Sequence, residues 1–261
     1  MAAGGRLIIN ADDWGRDRVT TAPILECAIR GTVSSVSAMV FMEDSERAAG
    51  IALERRIDAG LHLNFTAPLT SPDVPAELKE RQLKLGRYLL RHPMARIIFH
   101  PGLARDFEYV VAAQIDEFRR LYDKDAERID GHHHQHLCAN VVFGGLLPAG
   151  TVARRNFTFQ AGEKSPVNRL YRRAIDGMLR RKHQVVDYLF SLAPLQPLRR
   201  LRDIVSLART HAVELETHPI NPDEYGFLMG DGIFRLIGSV PIAASFNLGQ
   251  PQGMERQSRS A

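Results

Sequence analysis

Short apolar runs that end in polar or titratable residues recur along this chain, and segments with helical periodicity separate them. This alternation predicts an α/β fold built on a parallel sheet, because parallel strands need long crossover connections. The strands are predicted over residues 6–10, 33–41, 58–65, 128–130, 151–157, 185–190 and 213–219. Parallel sheets and barrels place their ligands beyond the carboxyl ends of the strands, so the polar residues found there mark a candidate site.

The chain has 261 residues, 44% of them hydrophobic, which is enough to bury one full core. A single α/β barrel fits this length as well as two small domains do, and we predict one domain over residues 1–248. A proline-rich insertion over 66–101, with a helix predicted at 76–91, interrupts the alternation after the third strand. Such insertions commonly shape a substrate cleft or a lid. The tail over 249–261 is rich in Gln, Ser and Arg and is predicted to be disordered.

The strongest chemical signal is the stretch Asp130-Gly131-His132-His133-His134-Gln135-His136. Four of the ten histidines fall within five consecutive positions, directly after a predicted strand. A histidine run can also be an expression tag or an adventitious metal binder, but those are usually terminal, whereas this run is internal and has apolar neighbours. We therefore interpret it as part of a metal or catalytic site.

Two carboxylates and two more histidines lie at the ends of other predicted strands. Asp12 and Asp13 follow the first strand, where Gly15 permits a sharp turn. His62 lies in the third strand, with Asn64 predicted on the same side, and His218 ends the last strand. One aspartate could instead cap the helix predicted from residue 19, and a lone strand histidine is commonly a core residue. Their shared position at strand ends favours a site.

Positive charge is concentrated in one part of the chain. The formal net charge is +4, and many of the cations fall within residues 169–202. A solvated helix face is the favoured interpretation, because no aromatic interleaving or nucleic-acid motif accompanies them; contact with nucleic acid or an anionic membrane surface is the alternative. Arg155, near the end of a predicted strand, could bind a substrate anion, orient a carboxylate or form a surface ion pair.

Other features bear on the cellular setting. No stretch approaches the ~20 apolar residues of a membrane span, and the N-terminus lacks the pattern of a secretory signal. We therefore expect a cytoplasmic protein without membrane insertion, although peripheral membrane contact stays open. Cys27 and Cys138 are expected to be buried, reduced thiols. The sequence leaves open whether the chain forms a homodimer.

The collected residues suit hydrolysis at a single divalent ion. One carboxylate and two imidazoles leave open positions on the ion, where it can lower the pKa of a water to about 7 and polarise a carbonyl. A second carboxylate can then take the proton of the water, and a further histidine can protonate the leaving group. A metal phosphoesterase would use similar ligands, usually around two ions, and a non-catalytic metal or carbohydrate binder would not need the second carboxylate.

Four motifs together resemble those of the YdjC/ChbG family of carbohydrate deacetylases, one branch of which is associated with hopanoid lipid biosynthesis. They are Asn10-Ala11-Asp12-Asp13 with Gly15, Gly60-Leu61-His62-Leu63-Asn64, the stretch 130–136, and Glu216-Thr217-His218-Pro219. They occur in the family's order and span most of the chain. Trp14 stands where the family usually has Phe, and the regions 66–101 and 157–202 do not align with the family pattern.

The resemblance implies a deformed (β/α) barrel of the polysaccharide-deacetylase type. It also implies removal of an N-acetyl group from an amino sugar, such as a chito-oligosaccharide or a lipid-linked glycan. By the same resemblance, Asp13, His62 and His132 bind one divalent ion, Mg²⁺ or Zn²⁺. Asp12 would be the general base and His218 the candidate general acid or oxyanion partner. The remaining candidates, which would orient the ligands or contact the substrate, are Asn64, Asp130, His134, His136 and Arg155.

Overall fold

The computed structural model describes residues 5–91, 93–159, 164–246 and 248. Seven strands form one sheet in which every neighbouring pair is parallel, in the order β5-β4-β3-β2-β1-β7-β6. The strands are β1 (Arg6–Trp14), β2 (Ser35–Ala38), β3 (Ala59–Leu63), β4 (Arg128–Gly131), β5 (Val152–Ala153), β6 (Tyr188–Ser191) and β7 (Ala212–Thr217). Each predicted strand therefore has an observed counterpart, and β1 lies in the interior of the sheet.

The sheet curls until its two edges approach one another. Beyond β5, the amide of Thr158 donates a hydrogen bond to the carbonyl of Leu189 in β6, at 2.8 Å. Nearby, the amide of Ala153 donates to the carbonyl of Gln184, at 2.9 Å. The parallel strands thus form a curled half-barrel surrounded by helices in a single domain, which confirms the predicted deformed (β/α) barrel. Strand β5 is shorter than the predicted 151–157, because the chain turns from β4 toward β6 after Ala153.

Helices connect the strands and cover the outside of the sheet. They are α1 (Arg18–Arg30), α2 (Ser45–Arg55), α3 (Ala76–Arg91), α4 (Ala104–Tyr122), α5 (Ala139–Gly144), α6 (Pro166–Leu179), α7 (Leu198–Leu207), α8 (Pro222–Met229) and α9 (Gly232–Ile237). The insertion contains α3, as predicted, followed by short 3₁₀ helices over Pro93–Arg96 and Pro101–Leu103. No helix of the described residues is both long and apolar enough to cross a membrane.

Alternation along β1 separates an outer apolar layer from an inner face that is apolar at Ile8 and polar from Asn10 onward. Leu7, Ile9 and Ala11 belong to the main hydrophobic core, which also includes buried residues of α1 and α2. The intervening residues face the barrel interior, where Asn10 accepts a hydrogen bond from Ser35 (2.7 Å) and donates one to Ser37 (2.7 Å). Successive strand side chains point to opposite faces, so a half-barrel gains a dry outer face and an inner face free for chemistry.

Two further expectations concern the start of α1 and the ends of the chain. Asp17, not Asp12 or Asp13, caps α1 by accepting a hydrogen bond from the Thr20 amide at 2.7 Å. The alternative capping role for the aspartate pair is therefore wrong, because β1 continues through both residues. Both cysteines are buried and free, as expected. The tail predicted as disordered, 249–261, lies outside the described residues.

Candidate metal centre

A backbone irregularity turns Asp12 and Asp13 toward the same site. Adjacent residues of a regular strand face opposite sides of a sheet. Asp13, however, has a left-handed backbone conformation (φ 68°), and the pairing of β1 with β2 shifts register between Ala11 and Trp14. Gly15, also left-handed at φ 83°, completes the sharp turn predicted there. Both carboxylates consequently reach the interior of the barrel, at its carboxyl edge.

Asp13, His62 and His132 converge on one point. An oxygen of Asp13, Oδ1, lies 2.9 Å from Nδ1 of His132 and 3.4 Å from Nε2 of His62. All three side chains are buried, and their candidate ligand atoms lie within 4.8 Å of one another. On the far side of the His62 ring, Nδ1 lies 2.7 Å from Oδ1 of Asp130. A carboxylate in that position fixes the tautomer and orientation of a metal-binding imidazole. These residues fit one divalent ion.

Two other groups of side chains have metal-binding donor types, but a buried guanidinium makes both unsuitable. They are Asp12 with His62 and Asp130, and Asp12 with Glu216 and His218. In each group the carboxylates contact Arg154, whose fixed positive charge repels a cation. Among the described residues, the Asp13 group is therefore the one whose donors do not contact Arg154; Asp13 Oδ2 lies 3.3 Å from the partly exposed Arg16 instead.

Arg154 holds four carboxylates around one guanidinium. Its Nη1 and Nη2 each lie 2.7 Å from one oxygen of Asp12, which is a bidentate pairing. The same side chain contacts Glu214 at 2.8 Å, Glu216 at 3.1 Å and Asp130 at 3.1 Å, and it is only 1% exposed. A buried carboxylate cluster of this size requires such a counter-charge, because an unpaired buried charge is costly.

The network sets the protonation states of the acidic groups. Burial alone would raise the pKa of Asp12, but the charge and hydrogen bonds of Arg154 more than offset this, so its pKa lies below the usual value. Asp12 is therefore ionised at neutral pH and able to accept a proton. Burial raises the pKa of Glu214 to about 7, despite the opposing charge of Arg154. One oxygen of Glu214, Oε2, also lacks a hydrogen-bond partner among the described residues.

The histidine run distributes its side chains among several contacts. The run His132–Leu137 consists of short 3₁₀ turns interrupted by a kink, at which His133 and His134 both adopt a left-handed conformation with φ of 55°. His134 Nε2 lies 3.1 Å from Glu216 Oε2, whereas His136 Nε2 lies 2.9 Å from the backbone carbonyl of Arg154. Only His132 of the run therefore reaches Asp13, while His134 contacts the Arg154 network and His136 supports the backbone that carries Arg154.

His218 lies beside Asp12 and Glu216, outside the group of Asp13, His62 and His132. Its candidate ligand atom and those of Asp12 and Glu216 all lie within 4.8 Å of one another. Glu224 of α8 fixes this corner by accepting hydrogen bonds from the His218 amide (2.9 Å) and the Thr217 hydroxyl (2.7 Å). The half-buried imidazole is thus placed beside the carboxylate network and is open to a bound molecule.

Two predicted site residues do not join this cluster. The Asn64 side chain is bound to the following loop, accepting from the Ala67 amide at 2.9 Å and donating to its carbonyl at 2.8 Å. Arg155 pairs with Asp176 of α6 at 2.7 Å, so the ion-pair alternative fits its contacts. The adjacent Arg154 is the arginine that reaches the interior, because neighbouring residues of an extended segment point in opposite directions.

His136 makes stability depend on pH. Burial, together with the charge of His134, lowers its pKa from the ordinary value of 6.5 to about 3. The unfolded chain therefore binds more protons in this interval, and the contribution of His136 to stability, full above pH 6.5, is lost as pH falls toward 3.

We expect His136→Gln, which can still donate to the Arg154 carbonyl, to flatten this dependence. The free energy of unfolding of the metal-free protein, from urea titrations between pH 7 and pH 4, should lose a slope of up to about 1.4 kcal/mol per pH unit in the variant. His100→Gln, at an exposed position, is the control and should retain the slope. An unchanged slope in His136→Gln would contradict the assignment.

A cavity of about 660 Å³ opens beside the histidine run. His133 and His134 form part of its wall, and residues of the insertion and of α6 also line it. Its apolar and aromatic lining includes Phe157 and Tyr171, while Asn156 and Arg172 offer polar groups. Concave sites with an apolar lining and a few polar groups are typical of small-molecule binding. The candidate metal centre thus adjoins a space large enough for a sugar.

Comparisons of the sequence with curated proteins find relatives named as deacetylases. A carbohydrate deacetylase from Mus musculus is 32% identical over 153 residues, covering 55% of this chain and 47% of that protein. A chitooligosaccharide deacetylase from Proteus mirabilis is 34% identical over 132 residues, which are 50% of each chain. The chain thus spans about half the length of the curated relatives that it matches.

A solved structure and a family model cover much more of the chain. The crystal structure of a candidate cellobiose-phosphate cleavage protein from Enterococcus faecalis V583 has a TM-score of 0.65 and covers 93% of this chain and 97% of its own, at 16% identity. That likeness shows a shared fold. The model of the YdjC-like protein family matches residues 6–225, a stretch that begins with β1 and includes every residue of the candidate metal centre. The chain therefore belongs to the YdjC-like protein family.

Proposed function

We propose that this protein is a metal-dependent hydrolase that removes the acetyl group from an N-acetylated amino sugar. The observation that carries the proposal is the buried Asp13, His62 and His132 group beside the ionised Asp12. The chain's curated relatives include a carbohydrate deacetylase and chitooligosaccharide deacetylases, which supports the substrate class. The adjoining cavity provides a place for the sugar.

Asp13, His62 and His132 would hold the ion, with Asp130 orienting His62. When bound, a divalent ion supplies Lewis acidity that polarises the amide carbonyl and acidifies a water. Asp12 is the base that takes the water's proton as the new carbon–oxygen bond forms. Both of its oxygens bind Arg154, but a carboxylate has about four acceptor sites, so room remains for that proton.

His218 completes the reaction on the leaving-group side. Its imidazole donates a proton to the amide nitrogen as the carbon–nitrogen bond breaks, which releases acetate and the free amine. Glu216, whose carboxylate lies close to both His218 and His134, orients the imidazoles at this corner. The base and the acid thus stand on different elements, Asp12 in β1 and His218 directly after β7.

Acetate release from a panel of N-acetylated sugars, beginning with N,N′-diacetylchitobiose, tests the proposal. The protein is first stripped of metal and then resupplied with single ions, including Zn²⁺, Mg²⁺, Mn²⁺, Co²⁺ and Ni²⁺. We expect release that depends on the added ion and disappears in His132→Ala. Metal binding without release from any acetylated sugar would favour a non-catalytic binder, and hydrolysis of phosphate esters would favour a phosphoesterase.

A further inference from the structure

Two segments that flank the cavity combine apolar side chains with positive charge and contain no acidic residue. One covers residues 87–104 of the insertion and the other covers residues 164–175 at the start of α6. Ile97 of the first and Val167 of the second line the same cavity, so both segments border it. We call them together the rim. Its cationic residues in sequence are Arg87, Arg91, Arg96, Lys164, Arg169, Arg172 and Arg173.

Large apolar side chains of the rim face solvent. Ile98 is 53% exposed and Phe99 is 40% exposed, while Val167 and Leu170 on α6 are 78% and 69% exposed. Isolated apolar residues are normal on a protein surface, but a concentration of them around one cavity marks a surface that binds something. Solubility alone would favour polar residues at these positions.

Five arginines of the rim have no acidic partner among the described residues, whereas Arg81 in α3 has two. Arg81, earlier in α3, pairs with Glu77 and Asp106, at 2.7 and 2.9 Å. Across the described ranges 5–91, 93–159, 164–246 and 248, by contrast, no carboxylate forms a salt bridge with the five rim arginines Arg87, Arg91, Arg96, Arg169 and Arg173. Their charges are therefore available to an external anionic surface.

We propose that the rim docks on a membrane surface that contains anionic lipids, with the mouth of the cavity toward the bilayer. Apolar side chains among cations are the composition of interfacial protein segments, in which the apolar groups enter the headgroup region and the cations meet lipid phosphates. A protein partner fits less well, because the centres of protein interfaces are depleted in charged residues. This proposal of membrane docking does not depend on the proposed deacetylase activity.

Sedimentation with lipid vesicles tests the docking. Wild-type protein should bind vesicles of phosphatidylcholine with phosphatidylglycerol, bind phosphatidylcholine alone more weakly, and dissociate as salt is added. Ile98→Glu combined with Leu170→Glu places charge on the rim without touching the cavity lining, and should weaken binding by about tenfold or more. Val19→Glu with Ile29→Glu, at α1 positions of similar exposure (72% and 60%), is the matched control and should bind like wild type.

Three results would overturn the docking. They are absence of wild-type binding to anionic vesicles, equal losses in the rim and α1 variants, and a wild-type dimer that only the rim variant dissociates, which would make a second copy the occupant. Acetate release from a soluble N-acetylated sugar should be the same in the rim variant as in wild type. A failure of docking is thereby distinguished from a failure of the proposed hydrolysis.

Discussion

Replacing Asp12 with Asn is expected to lower kcat for acetate release by about 10³-fold while the protein still binds its metal ion. The amide keeps the size of the carboxylate but cannot accept the proton of the attacking water. Because Asp12 contacts Arg154 rather than the proposed ion, metal affinity should change little. The measurements are single-turnover acetate release and a metal titration on the same preparation.

Asp176→Asn is the matched control for that variant. Asp176 is also a buried aspartate paired with an arginine, Arg155, and it lies on α6 away from the metal ligands. The Asp176→Asn variant should have a lower free energy of unfolding, but its kcat should not fall as far as that of Asp12→Asn. Equal kcat in Asp12→Asn and wild type, at saturating metal, would show that Asp12 is not the base.

Removing the charge of Arg154 is expected to have the largest effect on stability. Arg154→Met leaves Asp12, Asp130, Glu214 and Glu216 without their shared counter-ion, and breaking a buried pair in this way costs about 3–5 kcal/mol. Arg154→Lys retains the charge but cannot reproduce the planar set of contacts, so an intermediate loss is expected. Urea unfolding of the metal-free proteins measures these differences.

The adjacent arginine provides the control for Arg154. Arg155→Met also breaks an arginine–aspartate pair, but its partner Asp176 keeps hydrogen bonds from the amide and side chain of Asn156. We expect a loss of about 1–2 kcal/mol there. Similar losses of unfolding free energy in Arg154→Met and Arg155→Met would contradict the role of Arg154 as the shared counter-ion of the carboxylate network.

The fold was predictable because its signal is local and repeated. Strands β1, β3 and β7 are each predicted by a hydrophobic segment that ends in polar residues. The helices between the strands are long enough to indicate crossover connections of a parallel sheet. The order of the strands in the sheet was harder to predict from the sequence, because it depends on which edge of the sheet the chain joins after α6. Strand β5 contains only two residues, Val152 and Ala153, so its hydrogen bonds could not be inferred from composition.

The candidate site was predictable where chemistry and strand position coincided. Asp12, Asp13, His62 and His132 have side chains that are unusual at the ends of apolar strands, and the structure brings them together. Arg154 was missed because it stands beside Arg155 in an irregular segment, where sequence alone does not determine which side chain points inward. Strand β7, however, contains a sequence pattern that indicates a buried cation.

This pattern is the alternation of side-chain direction along β7. Glu214 and Glu216 are two residues apart in an otherwise apolar strand, so both must point to one face, and the buried face of a barrel would need a cation to pair with them. The left-handed backbone at Asp13 was not predictable, because non-glycine residues seldom adopt it and only the assembled site stabilises it. Such positions concentrate at functional sites.

The most direct test of the metal centre is the location of the ion in a crystal of metal-reconstituted protein, determined by anomalous scattering and paired with acetate release from the same preparation. We expect one ion per chain in contact with Asp13, His62 and His132, and we expect His132→Ala to lose both the ion and the activity. An ion bound instead among Asp12, Glu216 and His218, or full acetate release from metal-free protein, would contradict this expectation.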